Sequence, residues 1–156
     1  MSRSDPQPSA SVTRAWVRLM RTQRILLAAI EADLKSAGLP PLAWYDVLLE
    51  LTRAEGGRLR QFEIERKVLL AQYNLSRLID RLELEGLVRR EASDDDRRGR
   101  WVIVTDEGRA TQARMWSVYA RSLQDHVAAK IDDASAERLA DLLAKLTRKP
   151  PAGGAG

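Results

Sequence analysis

This 156-residue chain is expected to adopt a mostly helical α+β fold, on three observations. Apolar residues recur at helical spacing along most of its length. Two short segments rich in branched or aromatic residues flank a charged stretch, as in a hairpin. The composition, 44% apolar and 31% charged, suits one helix-rich globular core and is too short a chain for two ordinary domains.

The elements follow in order. Residues 1–11, rich in Ser and Pro, and 149–156, running into Pro, Gly and Ala, are expected to be disordered tails around a single domain at 12–148. Within 12–35, Trp16, Leu19, Leu26, Ile30 and Leu34 approximate helical spacing, and Ala37-Gly38 with Pro40-Pro41 end that helix. A second helix at 42–55 is apolar on most faces through Trp44, Val47, Leu48 and Leu51, which places it centrally. Gly56-Gly57 interrupts the chain, 58–60 suits a very short strand, and 61–69 suits a short helix offering Phe62, Ile64 and Val68 to the core.

The helix at 72–85 carries a stripe at i, i+3, i+4 and i+7: Leu75, Leu78, Ile79 and Leu82. Its other face presents Tyr73 and Arg77, flanked by Asn74 and Arg81, and Gly86 stands at the C-cap. Strands at 87–91 and 101–104 enclose a hydrophilic tip. Thr105, followed by Asp106 and Glu107, supplies a cap and two acids to a helix reaching about residue 130, with Ala113, Trp116, Ala120, Leu123 and Val127 along one side. Leu139, Leu142, Leu143 and Leu146 define a last helix at 135–147.

Several classes of function are excluded for want of parts. There is no cysteine, hence no disulfide, thiol chemistry or Cys-ligated zinc, and the one histidine, His126, reads as a surface residue. Phosphate-loop, His-Glu-x-x-His and Gly-x-Ser-x-Gly patterns are missing, so no enzyme, metal or cofactor is expected. No apolar run approaches the roughly 18 residues of a membrane span, and no export signal is visible, which points to the cytoplasm. A net charge of +4 permits a polyanionic partner without requiring one.

Two short helices, the second with a Tyr, Asn and Arg face, followed at once by a hairpin with a basic tip, make a winged helix-turn-helix pattern. Such a helix fits the major groove of duplex DNA while the hairpin reaches the backbone or minor groove beside it. Arg77 could fork onto guanine O6 and N7 and Asn74 onto adenine, while Gln72, Ser76 and Arg81 suit the sugar-phosphate backbone. Arg97 and Arg100 at the tip suit phosphates. The tip also reads as a plain solvated turn, and the whole basic face as a dock for an acidic partner protein.

The order of elements and several strings resemble the MarR family of multiple-antibiotic-resistance-type regulators over about residues 16–146. The strings are Leu75-Ser76-Arg77-Leu78-Ile79-Asp80-Arg81-Leu82-Glu83, Glu85-Gly86-Leu87-Val88, Asp96-Arg97-Arg98, and Val104-Thr105-Asp106-Glu107-Gly108, the last with Val104 where the family has Leu. The resemblance implies a homodimer on a pseudo-palindromic operator of double-stranded DNA, usually repressing transcription. Its dimerisation helices would be 12–35 and 106–148, and its DNA-binding lobe 42–105. By position, Arg98 would enter the minor groove and Asp96 would steady the wing. A small-molecule pocket, suited to an aromatic or phenolic ligand, would involve Trp16, Trp44, Tyr45, Trp116 and Tyr119, for which plain core packing is the competing reading.

Overall fold

The computed structural model describes residues 5–70, 74–95 and 98–149. Helix α1 (Ala10–Ser36) leads to α2 (Leu42–Arg53), a 3-10 turn (Glu55–Gly57) and β1 (Arg58–Arg60). Then come α3 (Gln61–Lys67), α4 (Leu75–Leu84), β2 (Val88–Glu91), β3 (Trp101–Val104), α5 (Asp106–Leu123), a π-helical turn (Gln124–Ala128) and α6 (Asp133–Thr147). The fold is therefore mostly helical with one small sheet.

Helix α1 starts two residues before the expected position because Ser9 caps it, its side chain accepting from the Val12 N–H at 3.2 Å. Residues 10 and 11 consequently belong to the helix and not to a disordered tail. The three strands form an antiparallel sheet in the order β1-β3-β2. Val88 pairs with Val104 and Glu91 with Trp101, while Arg60 lies opposite Trp101 on the other edge. The segment 58–60 thus forms a strand because β3 supplies its ladder partner.

Two apolar clusters organise the chain. One fills the lobe with Val47, Leu48 and Leu51 of α2, Ile64 of α3, Leu75, Leu78, Ile79 and Leu82 of α4, and Val88, Val102 and Val104 of the sheet. The other joins Ile30 and Leu34 of α1, Leu42 and Tyr45 of α2, and Met115 of α5. Helix α2 contributes to both, as its all-round apolar character requires.

Three expectations need correction. Phe62 is 41% exposed, since a seven-residue helix can bury only one face and Ile64 takes it; the Arg66 guanidinium lies over the Phe62 ring instead. Helix α5 buries Gly108, Thr111, Met115 and Ser122, not the expected side of Ala113, Trp116, Ala120, Leu123 and Val127. Met115 fills the contact with α1 and α2, flanked by the smaller Thr111 and Ser122, and Trp116 is left at the margin. His126 is half-buried, because the π-helical turn carries it to α1, where Nε2 lies 3.0 Å from Asp33 Oδ2.

The Val104-Thr105-Asp106-Glu107-Gly108 string has a geometric cause. Thr105 Oγ1 donates to the Gly86 carbonyl at 2.6 Å and accepts from the Gly108 N–H at 3.0 Å, while the Thr105 N–H donates to the Leu87 carbonyl. A Cβ on Gly108 would collide with that same Leu87 carbonyl oxygen and lie 2.8 Å from Val104 Cγ2. Backbone cannot yield as a flexible side chain can, so Gly108→Ala should destabilise by about 2 kcal/mol. A urea midpoint unchanged from wild type would contradict this packing.

Candidate nucleic-acid interface

The sequence pattern of α4 dictates which of its groups face outward. Leu75, Leu78, Ile79 and Leu82 are all buried, so Ser76, Arg77 and Arg81 are exposed on the opposite side. Asn74 accepts from the Arg77 N–H at 3.2 Å and is the N-cap of the helix. Its carboxamide oxygen is therefore engaged locally, which weakens its case as an adenine reader. Gln61 of α3 donates to Ser76 Oγ at 2.7 Å, fixing α3 against α4 and leaving the Ser76 hydroxyl proton for another acceptor. Gln72 and Tyr73 lie outside the described residues.

The sheet is tied to this helix by Arg90. Its guanidinium reaches Asp80 at 2.6 Å and Glu83 at 3.1 Å, and its N–H donates to Glu83 at 3.0 Å. Sequence reading did not single out these residues, although two acids three apart on α4 facing a strand arginine are a detectable pairing. Arg98 and Arg100 are exposed at the hairpin tip and line a groove with Gln61, Phe62, Glu65 and Arg90. The Arg98 N–H donates to the Asp95 carbonyl at 3.1 Å, and Arg98 Nε lies 3.5 Å from Asp95 Oδ2. Asp96 and Arg97 lie outside the described residues.

A cleft of about 580 Å³ opens where α1, α2 and α5 meet. Tyr45, Trp116 and Tyr119 line it with Gln23, Gln112 and Arg53. Tyr45 stacks on Trp116 with ring centroids 6.1 Å apart, and Tyr119 meets both edge-on at 5.2 and 5.8 Å. Burial pushes the phenol pKa of Tyr45 and of Tyr119 up, so both remain protonated donors at neutral pH. Trp44 and Trp16 do not line this cleft. Trp44 packs against the lobe core, and Trp16 is 60% exposed on α1.

Asp46, which the sequence reading passed over, is buried at the cleft wall. Its Oδ2 accepts from the Leu69 and Leu70 N–H groups, each at 2.8 Å, and so holds the chain that leaves α3. Burial raises its pKa above the usual 3.8, and the two N–H groups only partly offset this.

Residues 37–99 match a family model described as the MarR family. No curated protein matches the chain significantly. Among solved structures, AbsC of Streptomyces coelicolor, a MarR family transcriptional regulator, is 26% identical with a TM-score of 0.76, covering 91% of this chain and 95% of its own. Sco3205 of the same organism, a MarR family regulator solved in complex with DNA, is 24% identical with a TM-score of 0.80, covering 97% of each chain. BpsR of Bordetella bronchiseptica, whose DNA binding is regulated by 6-hydroxynicotinic acid, is 20% identical with a TM-score of 0.75, covering 94% of this chain and 100% of its own.

The class defined by α3, α4 and the hairpin is a winged helix-turn-helix protein. Residues 37–99 resemble the MarR family in sequence, and the whole chain has the fold of that family's transcriptional regulators.

The raised pKa of Asp46 has a measurable sign. The folded state holds that proton more tightly than the unfolded chain, so the group favours folding below pH 3.8 and this contribution is lost as pH rises through the folded pKa. Stability of the wild type should therefore fall, relative to Asp46→Asn, as pH rises from 3.8 through that window. Parallel pH profiles for the two proteins would contradict the assignment.

Proposed function

We propose that this protein is a homodimeric, sequence-specific regulator of transcription that binds double-stranded DNA and is released from its operator by a small aromatic or phenolic molecule. The observation that carries the reading is the outward face of α4, where Ser76, Arg77 and Arg81 stand exposed beside a hairpin that ends in exposed Arg98 and Arg100. A helix so presented fits the major groove, with Arg77 forked onto a guanine and Ser76 and Arg81 on phosphates. Gln72, Tyr73, Arg97 and Asp96 complete the interface in this reading, with Asp96 steadying the wing. Arg98 enters the minor groove, where a narrow A·T-rich flank deepens the negative potential.

The homodimer is supported by apolar stripes with no cover in the single chain. Val12, Trp16 and Met20 along α1 and Leu139, Leu142 and Leu146 along α6 are all exposed, and α6 buries no residue at all. Exposed apolar stripes of this kind suit burial against a second chain. In this reading residues 12–35 and 106–148 are the dimerisation helices, and 42–105 is the DNA-binding lobe. The aromatic cleft supports the effector: its rings suit a flat ligand, the two phenols and Gln112 offer hydrogen bonds, and Arg53 suits an acidic substituent. That BpsR responds to 6-hydroxynicotinic acid agrees with this. The reading assigns repression and no enzyme activity. It places the protein in the cytoplasm, where its DNA is; no helix among the described residues is long and apolar enough to cross a membrane.

If roughly six to ten phosphates are neutralised per dimer, log K should fall with log salt by about 0.9 per phosphate. Affinity for duplex DNA that ignores salt would reject the reading and favour an acidic protein partner. Arg77→Ala should cost about 1–3 kcal/mol and relax preference at one base pair per half-site. An equal loss on selected and random duplexes would make Arg77 a phosphate contact instead.

A further inference from the structure

The wing must project Arg98 at a fixed height beside α4, yet hairpin tips are flexible unless something outside the ladder holds them. Arg60 is placed to do so. It ends β1 and caps α3, its N–H donating to Glu63 Oε2 at 2.7 Å. Its guanidinium lies 4.3 Å from the centre of the Trp101 ring in β3, with that of Arg58 at 4.4 Å from the same ring. From there Arg60 Nη2 donates to Ser93 Oγ at 3.0 Å, two residues beyond the end of β2.

The contacts continue to the tip. Ser93 Oγ also accepts from the Asp95 N–H at 3.2 Å, and Asp95 in turn holds Arg98 through its carbonyl and its carboxylate. One buried arginine thus touches the start of α3, the central strand β3 and the root of the turn that carries Arg98. Arg60 is only 8% exposed, and its Nε is buried with no hydrogen-bond partner among the described residues. An aliphatic side chain would fill that space without leaving a donor unsatisfied, so packing alone does not explain an arginine here.

We propose that Arg60 is a positioning residue that sets the wing against α3 through Ser93, and thereby holds Arg98 ready for the minor groove. The consequence at Arg98 rests on the DNA-binding reading; the positioning itself does not. Arginine is required because its fork can stack on Trp101 and still reach Ser93, whereas lysine can provide only one of these at a time.

The test uses full-length wild type, Arg60→Lys and Ser93→Ala, the last removing the acceptor without disturbing the core. In the free proteins, amide hydrogen exchange at Asp95 and Arg98 should quicken in both variants while Leu78 and Ile79 of α4 stay protected. Arg98→Ala is then added to each, and affinity is measured for the duplex that the wild type itself enriches from a randomised pool. Each variant should weaken binding about fivefold when Arg98 is present and hardly at all when it is absent. Unchanged exchange at Asp95 and Arg98 in both variants would overturn the proposal. So would a cost of Arg98→Ala that is the same in all three backgrounds. Failure of the wild type to bind any duplex would remove the DNA-binding reading alone, and the exchange data would still decide the positioning role.

Discussion

The first turn of α5 lies so close to the turn between α4 and β2 that residue 108 has no room for a side chain. Thr105 fastens this contact from both sides, donating to Gly86 and accepting from Gly108. Much else depends on it. Helix α4 ends at this turn, both hairpin strands meet it, and α5 departs from it toward α1 and the aromatic cleft. A close backbone contact with three hydrogen bonds has little freedom to slide. Arg90, bonded to Asp80 and Glu83, ties β2 to α4.

A second contact lies on the other side of the lobe. The apolar cluster of α1, α2 and α5 lines the cleft, and Asp46 in its wall holds the backbone of Leu69 and Leu70, ahead of α4. A buried carboxylate is a costly way to fix a loop, because it is desolvated and its partners must stay aligned.

Local patterns made α4, the hairpin and the Thr105 cap legible in the sequence, because periodicity, turn composition and capping act within a few residues. The buried stripe of α4 follows from Leu75, Leu78, Ile79 and Leu82 alone, and it fixes Arg77 and Arg81 outward. What the sequence hid depends on which neighbour a face meets. Trp116 lies at helical spacing with Leu123, yet α5 docks through Gly108, Thr111 and Met115, with Met115 filling the space between α1 and α2. Phe62 yielded the core to Ile64 in the same way. Asn74 matched a base-reading residue by type but caps its helix, and capping and reading draw on the same side-chain atoms. The ties from Arg60 to Ser93, Asp46 to Leu69 and His126 to Asp33 span 33, 23 and 93 residues, beyond the range of any local pattern.

In the proposed function, two copies of this chain, joined through α1 and α6, hold two α4 helices for successive major grooves of one duplex. Hydroxyl-radical footprinting on the duplex that the protein selects tests it most directly. Two protected patches related by two-fold symmetry are expected, centred about one helical turn apart, roughly 34 Å, with further protection where the wings reach. A single patch at saturating protein, or two patches with no symmetry between them, would contradict it.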